Sequence, residues 1–169
     1  LKSFLTKNNH ITNEWNALNI LTQNASRVGA IDLGLYQLTN KDNFPILNKL
    51  DTHEFKLLYL LGADELEFNK KNEFIVYQGS HGDMGAEIAD VILPGSAYTE
   101  KDGHFVNLEG RIQKAFKASY PPGDAKEDWD IIIQLSKALG KTLNINSRKE
   151  LEERLINSSS IHSKIGEIV

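Results

Sequence analysis

The spacing of apolar positions changes along the chain, and each change marks an element. From Asn13 to about Gly29, Trp15, Leu18, Leu21, Ala25 and Val28 recur every three or four residues, which predicts an amphipathic helix capped by Thr12 or Asn13. Gly29 offers its stop, and Gly34, Asn40 and Pro45 mark an irregular connection with a helical turn predicted near Ile46 to Leu50. The pattern then becomes continuous: Phe55 to Leu61 is apolar on both faces and closes at Gly62-Ala63-Asp64, as a buried parallel strand does. Phe74-Ile75-Val76-Tyr77 repeats it and ends in Gln78-Gly79, and Val91-Ile92-Leu93 stops at Pro94. Three brief apolar strands joined by longer connections, preceded by a helix, predict an α/β fold. It is part of a parallel-sheet layer with flanking helices.

From Glu100 to Lys117 the pattern turns antiparallel, with turn or bulge signals at Asp102-Gly103 and Glu109-Gly110 beside His104-Phe105-Val106 and Arg111-Ile112-Gln113. Pro121-Pro122-Gly123 breaks the chain. Asp124 with Glu127 three residues on predicts a helix start by the capping-box pattern, with Trp129, Ile132, Ile133 and Leu139 buried and Gly140 at the end. Ser147 with Glu150 predicts a last helix to about Ile156, and Ser158-Ser159-Ser160 opens a loose tail. The expected division is therefore 1–95, an incomplete α/β layer completed by another segment or chain; 96–123, a β-hairpin or extended corner; and 124–169, C-terminal helices and tail. A parallel layer that opens on a helix lacks its first strand, and an uncovered edge of backbone donors and acceptors invites pairing.

Length and charge narrow the functions. A chain of 169 residues is enough for one domain burying roughly 70% of its unfolded surface. A net charge of −4 without a basic run argues against nucleic acid as a partner. No cysteine is present, so disulfides, thiolate zinc and cysteine-held iron–sulfur clusters are excluded from the chain itself. The longest apolar run, Leu57 to Ala63, falls far short of the roughly 20 residues of a membrane span, so no direct span is expected. The chain opens on Leu1 with neither a secretion-signal nor a transit-peptide layout, which suggests processing or a fragment.

Candidate chemistry is sparse. Gly79-Ser80-His81-Gly82-Asp83-Met84-Gly85 follows a strand and precedes a short helical segment, where open α/β sheets bind nucleotides, but its glycines recur every third residue instead of as GxGxxG. A tight strand-to-helix turn is the plainer reading. Gly62-Ala63-Asp64-Glu65 is the matching loop at the end of the strand expected to be central, and its two carboxylates would repel a phosphate. His10, His53, His81, His104 and His162 form no HxxxH pair, and Ser96, Tyr98 and Ser119 lack a nucleophile motif such as GxSxG. Asn107-Leu108-Glu109-Gly110-Arg111 is the densest polar cluster. It reads as a structural corner in which Glu100 returns across a hairpin to pair with Arg111.

At these residues a family becomes recognisable. Ala89-Asp90-Val91-Ile92-Leu93-Pro94, Glu100, Gly103 and Asn107 to Gln113 resemble the block shared by molybdopterin-dependent oxidoreductases, formate dehydrogenases included. Tyr77 to Ala86 running into Ala89-Asp90, and Pro121 to Ala125 running into Glu127-Asp128-Trp129, are similar to the C-terminal region of a narrower family. That family is the largest iron–sulfur subunits of mitochondrial NADH:ubiquinone oxidoreductase, respiratory complex I, over about Trp15 to Lys141. The resemblance implies a non-catalytic scaffold of the peripheral NADH-oxidising arm, on the matrix side of the mitochondrial inner membrane. Iron–sulfur clusters and FMN are then expected on partner subunits, and none of catalytic, cofactor-binding or metal residues in this chain.

The departures from cofactor-binding relatives point the same way. Those relatives tend to read Gly-x-Asn-Pro where this chain has Gly62-Ala63-Asp64-Glu65, and Thr-Glu-Thr where it has Asp83-Met84-Gly85, while Gly79 replaces a frequent Asp. The rival implied by the same block is a cofactor-binding portion of an active molybdopterin enzyme, with Gly62, Gln78 and Gly79 facing the nucleotide end of the cofactor.

Overall fold

A computed structural model describes residues 1–22, 24–35, 49–50, 52–64 and 68–158. It divides into two compact units, one of Leu1–Gln37, His104–Lys114 and Glu153–Val169, the other of Leu38–Gly103 and Ala115–Glu152.

The second unit holds the parallel sheet. Strands β1 (Leu57–Leu61), β2 (Phe74–Gly79) and β3 (Val91–Pro94) lie in the order β1-β2-β3, in register Leu58 with Ile75, Leu60 with Tyr77 and Tyr77 with Ile92. All three strands fall where the apolar runs predicted them, but the strand expected to be central, β1, lies at the edge of the described sheet and β2 in the middle. The alternation of a strand sends Leu58, Leu60, Ile75 and Tyr77 to one face, where they form the core, with Phe55, Phe68, Ala86, Ile88 and Ala89 packed on them. Fully burying one such side chain contributes about 1.5–3 kcal/mol. Gly62, at φ +60°, turns the chain out of β1 in the left-handed conformation that favours glycine. Helix α3 (Met84–Glu87) follows the Gly79–Asp83 loop. Asp90 fixes the start of β3, since its backbone N–H donates to Ile75 O at 2.8 Å and its Oδ2 accepts Ile75 N–H at 2.8 Å.

Helix α4 (Asp128–Ala138) begins three residues later than the capping-box reading places it. The Glu127 carboxylate that should reach back to cap is instead occupied: Arg148 Nη1 and Trp129 Nε1 both donate to its Oε2 and Lys117 Nζ lies 3.7 Å from Oε1. The buried stripe also differs from the expected one. Ile131, Ile133 and Ser136 are buried, whereas Ile132 and Leu139 are exposed and Trp129 is half-buried. Gly140, at φ +66°, ends the helix as expected, with Lys141 N–H donating to Ser136 O. Helix α5 (Arg148–Ser158) starts on the predicted cap, Glu150 N–H donating to Ser147 Oγ at 3.2 Å.

In the first unit the amphipathic helix expected over 13–29 does not form. Helix α1 spans Lys2–Lys7 and α2 only Arg27–Asp32. Between them Thr12 Oγ1 accepts the N–H groups of Glu14 and Trp15, and Asn16 Oδ1 accepts that of Leu18. Such side-chain bonds hold the backbone in turns and compete with the helix ladder, and they leave Trp15 and Leu21 exposed. Gly29 lies inside α2, close enough to the hairpin that an added Cβ would sit 3.4 Å from Val106, and Gly34 at φ +72° ends the helix instead. Strands β4 (Gly103–Val106) and β5 (Ile112–Ala115) form the predicted antiparallel excursion. The predicted turn near Ile46 survives in the described residues only as helical Lys49 and Leu50; Asn40, Pro45, Glu65, His162 and the tail beyond Ser158 lie outside them.

Candidate functional site at the carboxyl rim of the sheet

A ligand of this fold class would lie beyond the carboxyl ends of the strands, where β1 delivers Gly62-Ala63-Asp64 and β2 delivers Gln78 and the Gly79–Gly85 loop. The Gly79–Gly85 turn forms as the sequence predicts, Gly62 to Asp64 leave β1, and the structure shows what the sequence could not, namely what fills the space between them. Tyr77 is 1% exposed, and its ring lies along the rim with Oη donating to His81 O at 2.9 Å. A Cβ added at Gly79 would stand 2.2 Å from Tyr77 Oη. One at Gly85 would stand 2.8 Å from both the Tyr77 ring and Ala63 O. The glycines are therefore spent on close packing of one aromatic ring between two backbone segments. Burial pushes the Tyr77 phenol above its ordinary range, with the negative charges of Asp64 and Asp83 adding to the shift.

Gln78 is wholly buried. Its Oε1 accepts from Tyr59 Oη, and its Nε2 donates to Asp128 Oδ1 at 2.9 Å and to Asp128 O at 3.4 Å. Lys101 Nζ pairs with the other oxygen of Asp128 at 2.5 Å. Burial, followed by the Asp128 charge, raises the Tyr59 phenol. The backbone of Gly79 is also engaged, its carbonyl accepting Gly95 N–H at 2.8 Å. Nearby, a groove of about 410 Å³ at the end of β3 is lined mostly by Leu93, Pro94, Ile131, Leu135 and Ala138, with few polar groups.

The other candidates scatter. His53 and His81 sit at opposite ends of the sheet, and among the described residues no group of three or more His, Asp or Glu side chains is placed to hold a metal ion. His81 Nδ1 lies 2.9 Å from Ser80 Oγ. Ser96 is buried and its Oγ has no hydrogen-bond partner among the described residues, while Tyr98 is 78% exposed and Ser119 is exposed. Glu100 Oε2 accepts the Ala97 N–H at 2.9 Å, closing its own 3-10 turn, and Arg111 is exposed. The corner reading of 107–111 stands on a different residue: Asn107 Oδ1 accepts the N–H groups of Glu109 and Arg111 at 3.0 and 2.9 Å around Gly110, at φ +82°.

Two contacts along the sheet escaped the sequence reading, as did the Lys101–Asp128 and Arg148–Glu127 pairs. His53, in left-handed backbone at φ 56°, sets Nδ1 2.7 Å from Glu73 Oε1, and Lys70 Nζ lies 2.6 Å from Asp90 Oδ1. The Lys71 N–H, with help from His53, lowers the Glu73 carboxyl below its usual range, and Lys70, with the Ile75 N–H, does the same for Asp90. Pairs 20 residues apart leave no local signal, although Asn107 two residues before Glu109-Gly110 is a recognisable side-chain turn pattern.

Comparison with known proteins agrees with the block from Ala89 to Gln113. The chain is 50% identical over 147 residues to the NADH-ubiquinone oxidoreductase 75 kDa subunit of Reclinomonas americana, covering 86% of this chain and 21% of that protein. It is 51% identical over 138 residues to the mitochondrial 78 kDa subunit of Candida albicans, covering 80% and 18%. With an NADH-quinone oxidoreductase subunit of Rickettsia bellii the identity is 44% over 170 residues, covering 100% and 24%. The chain thus spans between a sixth and a quarter of the length of these curated relatives. Residues 1–138 match the model of the molybdopterin oxidoreductase family, and the chain belongs to that family.

Proposed function

We propose that this chain is a non-catalytic structural portion of respiratory complex I, the assembly that couples electron transfer from NADH to ubiquinone with proton translocation. It supports packing of the peripheral NADH-oxidising arm on the matrix side of the mitochondrial inner membrane. The names of its relatives support membership of that complex, and no helix among the described residues is long and apolar enough to cross a membrane. Its partners are the other peripheral-arm subunits, including the iron–sulfur half of the same subunit, and FMN and the iron–sulfur clusters reside on those partners.

The observation that carries this reading is the rim. A molybdopterin dinucleotide needs an open crevice and free donors for its phosphates. Here the Tyr77 ring fills the gap between Gly79 and Gly85, the carboxamide of Gln78 is consumed by Tyr59 and Asp128, and Asp64 and Asp83 set negative charge beside it. These residues do not fit the cofactor, and no chemical step is assigned to it. Metal analysis of the complex purified through this chain tests the reading: iron without stoichiometric molybdenum or tungsten is expected. Either metal at one per chain would overturn it in favour of an active molybdopterin oxidoreductase of the formate dehydrogenase type.

A further inference from the structure

We propose that the outer edge of β1 receives a fourth strand, supplied by the portion of the large subunit that the longer relatives carry outside the matched region. This deepens the scaffold reading and rests on it. The backbone of β1 divides its hydrogen bonds cleanly. Lys56 O accepts Phe74 N–H and Gly62 N–H donates to Gln78 O, so Lys56, Leu58, Leu60 and Gly62 face β2. By the alternation of a parallel ladder, the N–H and C=O groups of Leu57, Tyr59 and Leu61 point the other way, and among the described residues no strand pairs with them.

Nothing in Leu57-Leu58-Tyr59-Leu60-Leu61 protects such an edge: it has no charge, no proline and no bulge. The opposite edge differs. β3 ends in Pro94, and Lys126 closes its exit through a parallel bridge to Gly95, with Lys126 N–H donating to Pro94 O and Ser96 N–H to Lys126 O. Beside the β1 edge Leu57, Leu61 and Phe74 remain 58%, 53% and 47% exposed on one sheet face, whereas parallel sheets are ordinarily buried on both. The incoming strand would meet buried Leu58 and Leu60 on one face and these exposed side chains on the other. It must therefore be apolar on both faces, a short run without charges. The relatives have more than three-quarters of their length outside the match, ample for such a strand and its crossover.

The test is hydrogen exchange at residue resolution on the native complex containing the full chain, with cross-linking from the exposed Lys56 beside β1. The Tyr59 and Leu61 amides are expected to exchange within about tenfold of Leu58 and Leu60, with Lys56 linking to a peptide of the large subunit outside the matched region. Exchange at Tyr59 and Leu61 at least about 100-fold faster than at Leu58 and Leu60 would overturn the proposal. So would Lys56–Lys56 links between two copies, which the palindromic β1 sequence would permit in an antiparallel dimer. In both cases the scaffold reading survives. Failure of the chain to co-purify with complex I would remove both. Leu61→Pro, which deletes an outward amide without breaking a β1–β2 bond, is expected to lower incorporation several-fold relative to Leu61→Ala.

Discussion

Substituting Gly79 tests the claim that the rim glycines serve packing. In Gly79→Ala the new methyl carbon would lie 2.2, 2.4 and 2.9 Å from Oη, Cζ and Cε1 of Tyr77, against the 3.5–4.0 Å at which carbon atoms rest comfortably. The ring must retreat by more than an ångström. It is 1% exposed, tied to His81 O, and backed by Gly85, where the gap is already too small for a methyl group. Overpacking of this kind costs about 1–3 kcal/mol and loss of the Tyr77–His81 bond about 1 more, so a destabilisation of about 2–4 kcal/mol is expected. Urea unfolding midpoints of the purified chain, converted through a common slope, measure it. Gly82→Ala is the control, since a Cβ there meets nothing within 4 Å in the same loop, and it should shift stability by less than about 0.5 kcal/mol. In a Tyr77→Leu background, which lacks the clashing atoms, Gly79→Ala should also become nearly neutral, giving a coupling of about 2 kcal/mol or more. Additive effects, or a neutral Gly79→Ala in the parent, would refute the seating of Tyr77 on that glycine.

Three other outcomes follow from the geometry. Gln78→Leu strands the Tyr59 hydroxyl and the Asp128 carboxylate and should cost about 2–3 kcal/mol, while Tyr59→Phe removes one partner only and should cost about 1; thermal melting checks the ratio. Glu73 and Asp90 both have carboxyls lowered in the folded state, so their stabilisation is complete above the ordinary carboxylate range and is lost as pH falls below it through their lowered values. Asp90→Asn should therefore flatten the fall in melting temperature below about pH 4 and leave a constant deficit at neutral pH. Asn107→Ala removes the acceptor that folds the 107–111 turn and should cost about 1–2 kcal/mol, read as faster proteolytic nicking between Val106 and Arg111.

The strands were legible because their signal is local: Leu57–Leu61, Phe74–Gly79 and Val91–Pro94 are short apolar runs closed by glycine or proline, and each closed where the punctuation fell. Gly140 and Ser147 were legible for the same reason, since caps are chosen by a few adjacent residues. The helix expected over 13–29 failed because the three- and four-residue spacing was read without the competing bonds from Thr12 and Asn16. The start of α4 was misplaced because Glu127 is claimed by Arg148, 21 residues away, a partner that no window of sequence contains.

The order of apolar strands, the glycine and proline turns and the family block were all readable from the residues alone, because each depends on positions within a few places of one another. The contents of the rim were settled by folding. Whether Tyr77 turned toward solvent or lay down between Gly79 and Gly85, and whether Gln78 kept a free carboxamide or spent it on Tyr59 and Asp128, depended on side chains up to 50 residues apart meeting at contact distance. Close packing and hydrogen-bond satisfaction act over a few ångströms of space, and only the fold converts separation along the chain into that distance.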